Sequence, residues 1–167
     1  MRTNQPQTIY LSEYKVPAYL VDQVDLRFEL FEDGARVHST LTVRRNPDSA
    51  ESAAPLFLHG DSLQLESVAL NGSPLGTGEF EDRGDALVVP SVPEEFELQV
   101  VTWIEPQNNT RLEGLYKSSG MFCTQCEAEG FRKITYFPDR PDVLAVYTVT
   151  LEASSEACPV LLSNGNL

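Results

Sequence analysis

The stretch from Cys123 to Arg132, with the sequence CTQCEAEGFR, contains the side chains of this chain that are best suited to chemistry. Two thiolates at the spacing Cys123-x-x-Cys126 can supply half of a tetrahedral zinc site or form a redox dithiol. Two carboxylates, Glu127 and Glu129, follow, and carboxylates that are partly removed from water are either salt-bridged or available to a cationic ligand. The stretch therefore offers metal binding, thiol redox chemistry or cation binding.

The two thiol chemistries lack their usual partners. A zinc half-site needs two more ligands, but Cys158 is single, and His38 and His59 lie far upstream in strand-like surroundings. A thioredoxin-like dithiol needs a strand–loop–helix context within a βαβ unit, and no such unit precedes the pair. Three cysteines are also an odd number for a disulfide framework. We predict that the cysteines are reduced packing residues, with metal binding and redox chemistry as the alternatives.

The two histidines are also poor candidates for a catalytic or metal centre. His38 falls on the polar face of its predicted strand and His59 stands at a strand end, so we expect ordinary surface histidines. A hydrolytic zinc site of the H-E-x-x-H type needs two histidines four positions apart on one helical face, and the sequence contains no such arrangement. The chain is predicted to hold no catalytic residue and no metal.

The carboxylates leave two interpretations open. Their flanking residues suggest an unusually apolar setting, in which Glu127 and Glu129 either bind a cationic ligand or form a structural network with basic side chains. The candidate partners in such a network are Arg111, Arg132, Lys133 and Arg140. The run Asp139-Arg140-Pro141-Asp142 is most simply an ion-paired turn that its prolines make rigid.

The elements that position the stretch from Cys123 to Arg132 are predicted to be β-strands. Residues 1–20 form a polar lead-in, in which Tyr14, Pro17 and Tyr19 are predicted to anchor the chain across a domain edge, and regular structure begins near Val21. Apolar and polar residues then alternate with the period of two that is typical of a strand with one buried face. This pattern covers residues 24–30 and 37–44, and the turn signal Asp33-Gly34 between them predicts a hairpin.

The alternation of apolar and polar residues continues to residue 104 and then stops. Further strands are predicted at 56–58, 63–65, 68–70, 86–89 and 96–104, with a turn at Asn71-Gly72. Residues 112–143 mix glycine, cysteine, aromatic and charged residues without alternation, which indicates loop-rich structure. Alternation returns at 146–151 and 159–162. We predict an all-β fold, a saddle-like antiparallel sheet sandwich with a loop-rich segment.

Composition narrows the function class. A chain of 167 residues with 41% hydrophobic and 22% charged residues is large enough for one domain that buries roughly 70% of its unfolded surface. Its net charge of −13 repels nucleic-acid phosphate and anionic lipid, so neither is an expected partner. No run approaches the ~18 apolar residues of a membrane span, and the first seven residues lack the apolar core of a secretory signal. We expect a cytoplasmic protein.

Four blocks of sequence, together and in this order, resemble the N-terminal domain of the bacterial aminopeptidase N (alanyl aminopeptidase) family of zinc-dependent peptidases. The resemblance begins at Tyr14-x-x-Pro17-x-Tyr19 and covers nearly the whole chain. Its blocks are Leu112-Glu113-Gly114-Leu115-Tyr116, the stretch from Cys123 to Arg132, the run from Phe137 to Val143, and Leu161-Leu162-Ser163-Asn164-Gly165-Asn166.

The resemblance implies a saddle-shaped β domain that packs over a catalytic domain and sends one loop into the active site. Glu127 would then bind the α-ammonium group of a peptide substrate and Gln125 would line the pocket for the first side chain, with Glu129 and Arg132 as scaffold. An ammonium group needs an anionic, acceptor-only partner, which agrees with that role for Glu127. The zinc ligands, the G-x-M-E-N motif and the transition-state tyrosine of the family belong to the following domain, so this chain alone is expected to be inactive.

Residues 1–167 are accordingly predicted to form a single N-terminal β domain of a larger aminopeptidase. The last turn, Ser163-Asn164-Gly165-Asn166, would normally lead into another strand, which suggests a fragment. The competing hypothesis is a free-standing β-sandwich binding module whose cysteines hold a structural metal. A third possibility is a family member that lost catalysis and serves as a scaffold.

Overall fold

The structure is a computed structural model that describes residues 10–51 and 53–167. The predicted lead-in falls partly outside these ranges, because residues 1–9 are not described. The strands are β1 (Tyr19–Leu30), β2 (Ala35–Arg45), β3 (Leu56–His59), β4 (Gln64–Leu70), β5 (Ser73–Pro74), β6 (Glu81–Asp82), β7 (Ala86–Val89), β8 (Glu95–Ile104), β9 (Gly114–Ser118), β10 (Met121–Gln125) and β11 (Val146–Ala153). Short 3-10 helices cover Leu11–Glu13, Pro106–Asn108 and Phe131–Lys133.

The largest sheet has six strands in the order β11-β1-β2-β8-β4-β5. β1 and β2 form the predicted hairpin, closed by a hydrogen bond from the backbone N–H of Phe31 to the carbonyl oxygen of Gly34 (2.9 Å). The period of two is visible in the burial, since Val24, Leu26 and Phe28 are buried while the residues between them are more exposed. One buried face per strand therefore builds the core, as the alternation predicts.

A second sheet, with the order β3-β7-β6, covers that face. All four residues of β7, the central strand of this sheet, are buried. Leu56, Leu58 and Leu87 belong to the same buried cluster as Leu41 and the apolar residues of β1. The third sheet is the β9–β10 hairpin, which carries the candidate site. The predicted all-β architecture is confirmed.

The lead-in is anchored as the sequence predicts. The hydroxyl group of Tyr14 donates a hydrogen bond to Asp142 (2.9 Å), and that of Tyr19 donates to the carbonyl oxygen of Ala54 (2.6 Å). Pro17 is buried, and its carbonyl oxygen accepts a hydrogen bond from the side chain of Asn46 (2.7 Å). Strand β1 begins at Tyr19, two residues before the predicted start.

Two features differ from the sequence-based expectation of antiparallel strands. β11 runs parallel to β1, with Val24 opposite Tyr147, whereas β1 and β2 are antiparallel. Residues 159–162 alternate in sequence but form no strand, and Val160 and Leu162 are 70% and 84% exposed. Alternation predicts which face of a strand is buried, but a strand also needs a neighbour to bond, and this segment has none among the described residues.

Within the described ranges, no helix reaches the length and apolar character that a bilayer-spanning segment requires.

Candidate functional site

The candidate site is the loop of residues 126–130, which follows the β9–β10 hairpin. The hairpin turns at Ser119 and Gly120, and its ladder ends where Gln125 pairs with Gly114. Gln125 and Glu127 are both exposed, so the two predicted substrate-binding residues lie at the open end of the hairpin. The Glu127–Ala128 peptide bond in this loop is cis.

Two glycines bring the ends of the loop together. The backbone N–H of Gly130 donates to the carbonyl oxygen of Cys126 (2.8 Å), which closes the loop into one turn. A Cβ atom added to Gly130 would lie 2.5 Å from the carbonyl oxygen of Gln125, closer than side chains approach backbone. Gly114 has a φ of 73°, and an added Cβ there would lie 2.8 Å from the Cβ of Lys133. These contacts hold the loop on the base of the hairpin.

The carboxylates of the loop separate into one paired and one unpaired group. Glu129 lies 3.4 Å from a guanidinium nitrogen of Arg132, as the predicted structural network requires. Among the residues that the structure describes, no cation lies within ion-pair distance of Glu127. The expected apolar setting is wrong for both groups, which are exposed, because the apolar neighbours Cys126 and Phe131 turn toward the core instead.

Of the three cysteines, all within the described ranges, Cys126 packs against the hydrophobic core. Cys123, Cys126 and Cys158 are free, and none of them is fully exposed. Burial, with a smaller effect from Asp139, raises the pKa of the Cys126 thiol and makes its reactive thiolate less available. Within residues 10–51 and 53–167, no group of three or more His, Cys, Asp or Glu side chains could hold a metal ion.

An arginine–aspartate pair lies beneath the loop. The Asp139 carboxylate accepts hydrogen bonds from the backbone N–H (3.2 Å) and the Nε–H (2.9 Å) of Arg132. The Nη2 group of Arg132 donates to the carbonyl oxygen of Asp139 (2.9 Å). Asp139 is thus bound to Arg132 rather than to the predicted turn, where Arg140 pairs with Asp142 at 2.6 Å.

A second pair anchors the next residue. Lys133 binds Asp61 and lies 3.3 Å from Glu113, and Arg111 also reaches Asp61 (3.2 Å). The hydrogen bond from Lys133 is the main reason that the pKa of Asp61 lies below its ordinary value. Because the backbone N–H of Asp61 donates to the carbonyl oxygen of Arg132 (2.9 Å), this cluster fixes the segment after the loop to the end of β3.

Aromatic rings complete the support. Phe131 packs edge to face against Phe137, with ring centroids 4.9 Å apart, and against Tyr147 of β11 at 5.9 Å. Such pairs stabilise beyond the area that they bury. The loop therefore rests on all three sheets: its own hairpin, β11 of the large sheet and the end of β3.

His59 has a different role from the surface histidine that the sequence predicts. It is half-buried, and its Nδ1 atom accepts a hydrogen bond from the backbone N–H of Asp139 (3.2 Å). Burial, then the nearby Arg132 charge, lowers the pKa of His59, which favours the neutral ring that this hydrogen bond needs. His38, by contrast, lies on the polar face as expected, 3.0 Å from Glu29.

Sequence reasoning therefore missed His59, Asp61 and Asp139 as supports of the loop. The available signal was the run His59-Gly60-Asp61 at a strand end, where polar residues follow a buried strand. Gly60 leaves no room for a Cβ, since one would lie 2.3 Å from the ring of Tyr136. The contacts that His59, Asp61 and Asp139 make with residues distant in the chain leave no recognisable pattern in the neighbouring sequence.

The chain is similar to known aminopeptidases over nearly its whole length. The chain is 46% identical to aminopeptidase N of Caulobacter vibrioides over 99% of its own length and 19% of that protein. It superposes on the crystal structure of Legionella pneumophila aminopeptidase A in complex with aspartic acid with a TM-score of 0.87 and 36% identity, covering 93% of this chain and 18% of that one.

A more distant structure shares the fold alone. An M1 zinc metallopeptidase from Deinococcus radiodurans, an E323A mutant bound to a Tyr-Ser-Ala substrate, has a TM-score of 0.65 and 18% identity over 80% of this chain and 32% of that one. The chain spans about a fifth of the length of the curated relatives that it matches. The model of the Peptidase M1 N-terminal domain family matches residues 14–167. Since this match covers nearly the whole chain, the chain belongs to the Peptidase M1 N-terminal domain family.

Proposed function

We propose that residues 1–167 form the N-terminal β domain of a zinc-dependent aminopeptidase and that Gln125 and Glu127 bind the N-terminus of its peptide substrate. The observation that carries this proposal is the state of Glu127: an exposed carboxylate on an anchored loop, with no cation within ion-pair distance among the described residues. A site for a cationic ligand needs such an uncompensated anion.

The chemistry of the substrate fits the loop. A free α-ammonium group carries three N–H donors and no acceptor, and a carboxylate is acceptor-only, so the two form strong charge-assisted hydrogen bonds. The bond strengthens when a second domain covers the loop and excludes water. Gln125, exposed at the end of β10, would line the pocket for the first side chain. The Legionella relative was crystallised with aspartic acid, an amino acid whose α-ammonium group is free.

The zinc ion that this function implies finds no ligand set among the residues that the structure describes. We therefore assign the metal to residues outside this chain, in a catalytic domain of the same protein. This domain contributes to catalysis by orienting the substrate. A peptide N-terminus bound at Glu127 presents only the first peptide bond to the reactive centre. Such positioning lowers the entropic part of a reaction barrier.

The partners in this proposal are a peptide with a free N-terminus and the catalytic domain of the same polypeptide. The net charge of −13 disfavours nucleic acid and anionic lipid as ligands. We propose a cytoplasmic location, because Cys123, Cys126 and Cys158 are free thiols, the state that a reducing compartment maintains.

The direct test is Glu127→Gln in the intact protein that contains this chain. The substitution keeps the size of the side chain and removes its charge. We expect kcat/KM on an unblocked peptide to fall at least about 30-fold, which corresponds to the roughly 2 kcal/mol at the lower end for a charged pair closed off from water. The matched control is Glu129→Gln, two positions away, where the carboxylate already pairs with Arg132. Its kcat/KM should change less than about 3-fold.

Two results would overturn the proposal. An unchanged kcat/KM in the Glu127→Gln protein would remove the assigned role of that residue. Stoichiometric zinc in the purified 167-residue chain, with loss of the fold on chelation, would favour a free-standing module with a structural metal.

A further inference from the structure

The cations around the loop are all bound to carboxylates other than Glu127. Four of them lie close to it in sequence or in the fold. Their partners are Asp61 for Arg111, Asp139 and Glu129 for Arg132, Asp61 and Glu113 for Lys133, and Asp142 for Arg140. Among the described residues, this distribution leaves the Glu127 carboxylate without a neutralising partner.

Arg132 is the cation that could most directly neutralise Glu127. It lies in the short 3-10 helix that directly follows the loop, and its Nη1 atom lies 3.4 Å from Glu129, two residues from Glu127. A guanidinium group carries five donors and binds carboxylates strongly, so a free arginine here would compete with a substrate ammonium for the same oxygens.

Asp139 holds the edge of the Arg132 guanidinium that does not contact Glu129. Its carboxylate accepts the Nε–H of Arg132 at 2.9 Å, and its carbonyl oxygen accepts Nη2–H at 2.9 Å, so one edge of the guanidinium is fixed at two points. Both side chains are mostly removed from water, at 13% exposure for Asp139 and 19% for Arg132. Asp139 is itself held by His59, whose Nδ1 accepts its backbone N–H.

We propose that Asp139 is a positioning residue for substrate binding: by holding Arg132 beneath the loop, it keeps Glu127 free to bind an ammonium group. This inference rests on the proposed function of Glu127. It differs from a purely structural role, in which Asp139 would only maintain the shape of the loop. The two roles predict opposite effects when Arg132 is also removed.

The substitution Asp139→Asn separates charge from shape. It retains an oxygen acceptor for the N–H groups of Arg132 but removes the charge that holds the guanidinium. In the intact protein we expect KM for an unblocked peptide to rise about 5- to 20-fold, the effect of one competing charge-assisted hydrogen bond, with kcat changed less than about 2-fold. Arg132→Lys, whose single ammonium cannot make the two-point contact, should raise KM in the same direction by about 2- to 5-fold.

The decisive measurement is the double variant Asp139→Asn with Arg132→Gln. The competing cation is then gone, and a neutral pair of amides can still hydrogen-bond, so KM should return to within about 3-fold of the native value. The matched control is Asp22→Asn, which removes the carboxylate bound to Arg44 across the β1–β2 pair and frees a cation that is not among the four around the loop, so it should leave KM unchanged. Melting temperatures verify that each variant is folded.

The outcomes are distinguishable. A raised KM that the second substitution restores supports the proposal. A raised KM that the second substitution leaves or worsens shows that Asp139 is only scaffold and overturns it, as does an unchanged KM in both Asp139→Asn and Arg132→Lys. If either of these overturning results occurs while Glu127→Gln still lowers kcat/KM, the proposed function of the loop stands without this inference. If Glu127→Gln has no effect, both fall together.

Discussion

The backbone of Gly34 lies directly against the indole ring of Trp103. A Cβ atom added to Gly34 would come within 2.0 Å of Cζ2 of that ring. The indole cannot easily move, because Phe31 stacks on it with ring centroids 5.8 Å apart and the guanidinium of Arg36 lies 5.6 Å from its centroid. The β1–β2 hairpin thus closes on the side chain of β8, its neighbour in the sheet.

Gly34→Ala is expected to lower the free energy of unfolding by about 1–3 kcal/mol, since an overpacked site must displace a rigid ring. Trp103 is the single tryptophan of the chain, so its fluorescence during urea unfolding measures this change at the site itself. The control is Gly76→Ala, where an added Cβ would meet an atom of Glu79 at an ordinary 3.4 Å. Equal midpoints for the two variants would contradict the close contact.

Gly130→Ala should destabilise the chain by a similar amount, about 1–3 kcal/mol. Gly130 has φ −87° and ψ −17°, a conformation in which alanine ordinarily stabilises by about 0.4–1 kcal/mol, so the sign of the effect reports the contact with Gln125 and Cys126. Urea unfolding gives the sign, and amide chemical shifts of residues 125–130 show whether the loop moves. A more stable variant would refute the close approach.

His59 predicts a pH dependence of stability. Its pKa in the folded chain lies below the ordinary value of 6.5, so the unfolded state binds a proton more readily. Stability should therefore be constant above about pH 7 and fall as the pH decreases from 6.5 toward the lower folded pKa, with a slope below about 1.4 kcal/mol per pH unit, the limit for one proton. Asp61, whose pKa is depressed below 3.8, loses its contribution only in more acidic solution.

The measurement is the free energy of unfolding at pH 5.5 and 7.5 for the native chain and for His59→Asn. The substitution removes the titrating ring while a side-chain oxygen can still accept a hydrogen bond from Asp139. We expect a smaller difference between the two pH values in the variant. Parallel stability curves would mean that His59 does not cause the slope.

Asn46→Ala should cost about 1–3 kcal/mol of stability, because it leaves buried polar groups without partners. The side chain is buried and donates to the carbonyl oxygen of Pro17 (2.7 Å), and its own oxygen accepts the backbone N–H of Asp48 (3.0 Å). Asn108→Ala is the control, since Asn108 is exposed and donates only to the side chain of Glu105. Thermal unfolding of both variants compares a buried with an exposed amide.

The fold was predictable wherever local pattern decides it. Alternation identified the buried face of β1, and the signals at Asp33-Gly34 and Asn71-Gly72 marked turns, the second with positive φ at both residues. The parallel pairing of β11 with β1 was not predictable, since a strand pattern specifies a face and no partner. The same limitation explains residues 159–162, which have the pattern of a strand but no strand neighbour within residues 10–51 and 53–167.

The assignment of Gln125 and Glu127 as substrate-binding residues stays a prediction, whereas the ion pairs around them are described by the structure and were not predictable from the sequence. The family resemblance selected Gln125 and Glu127, and the residue pattern named four possible cations for Glu127 and Glu129. In the fold, Arg132 pairs with Glu129 and Asp139, and the other three cations pair with other carboxylates. These ion pairs depend on Asp61 and Asp139, which approach from different parts of the chain. The spacing of residues along the sequence cannot predict which of several possible ion pairs forms between segments from different sheets.

The parallel pairing of β1 with β11 has a consequence for synthesis. A ribosome completes β1 at residue 30, but its second neighbour begins only at residue 146, so one edge of β1 stays unpaired while the intervening chain is made. An unpaired strand edge can recruit another nascent chain, and pairings between distant segments form slowly. We therefore expect the yield of native domain to fall as nascent chains become more crowded during synthesis.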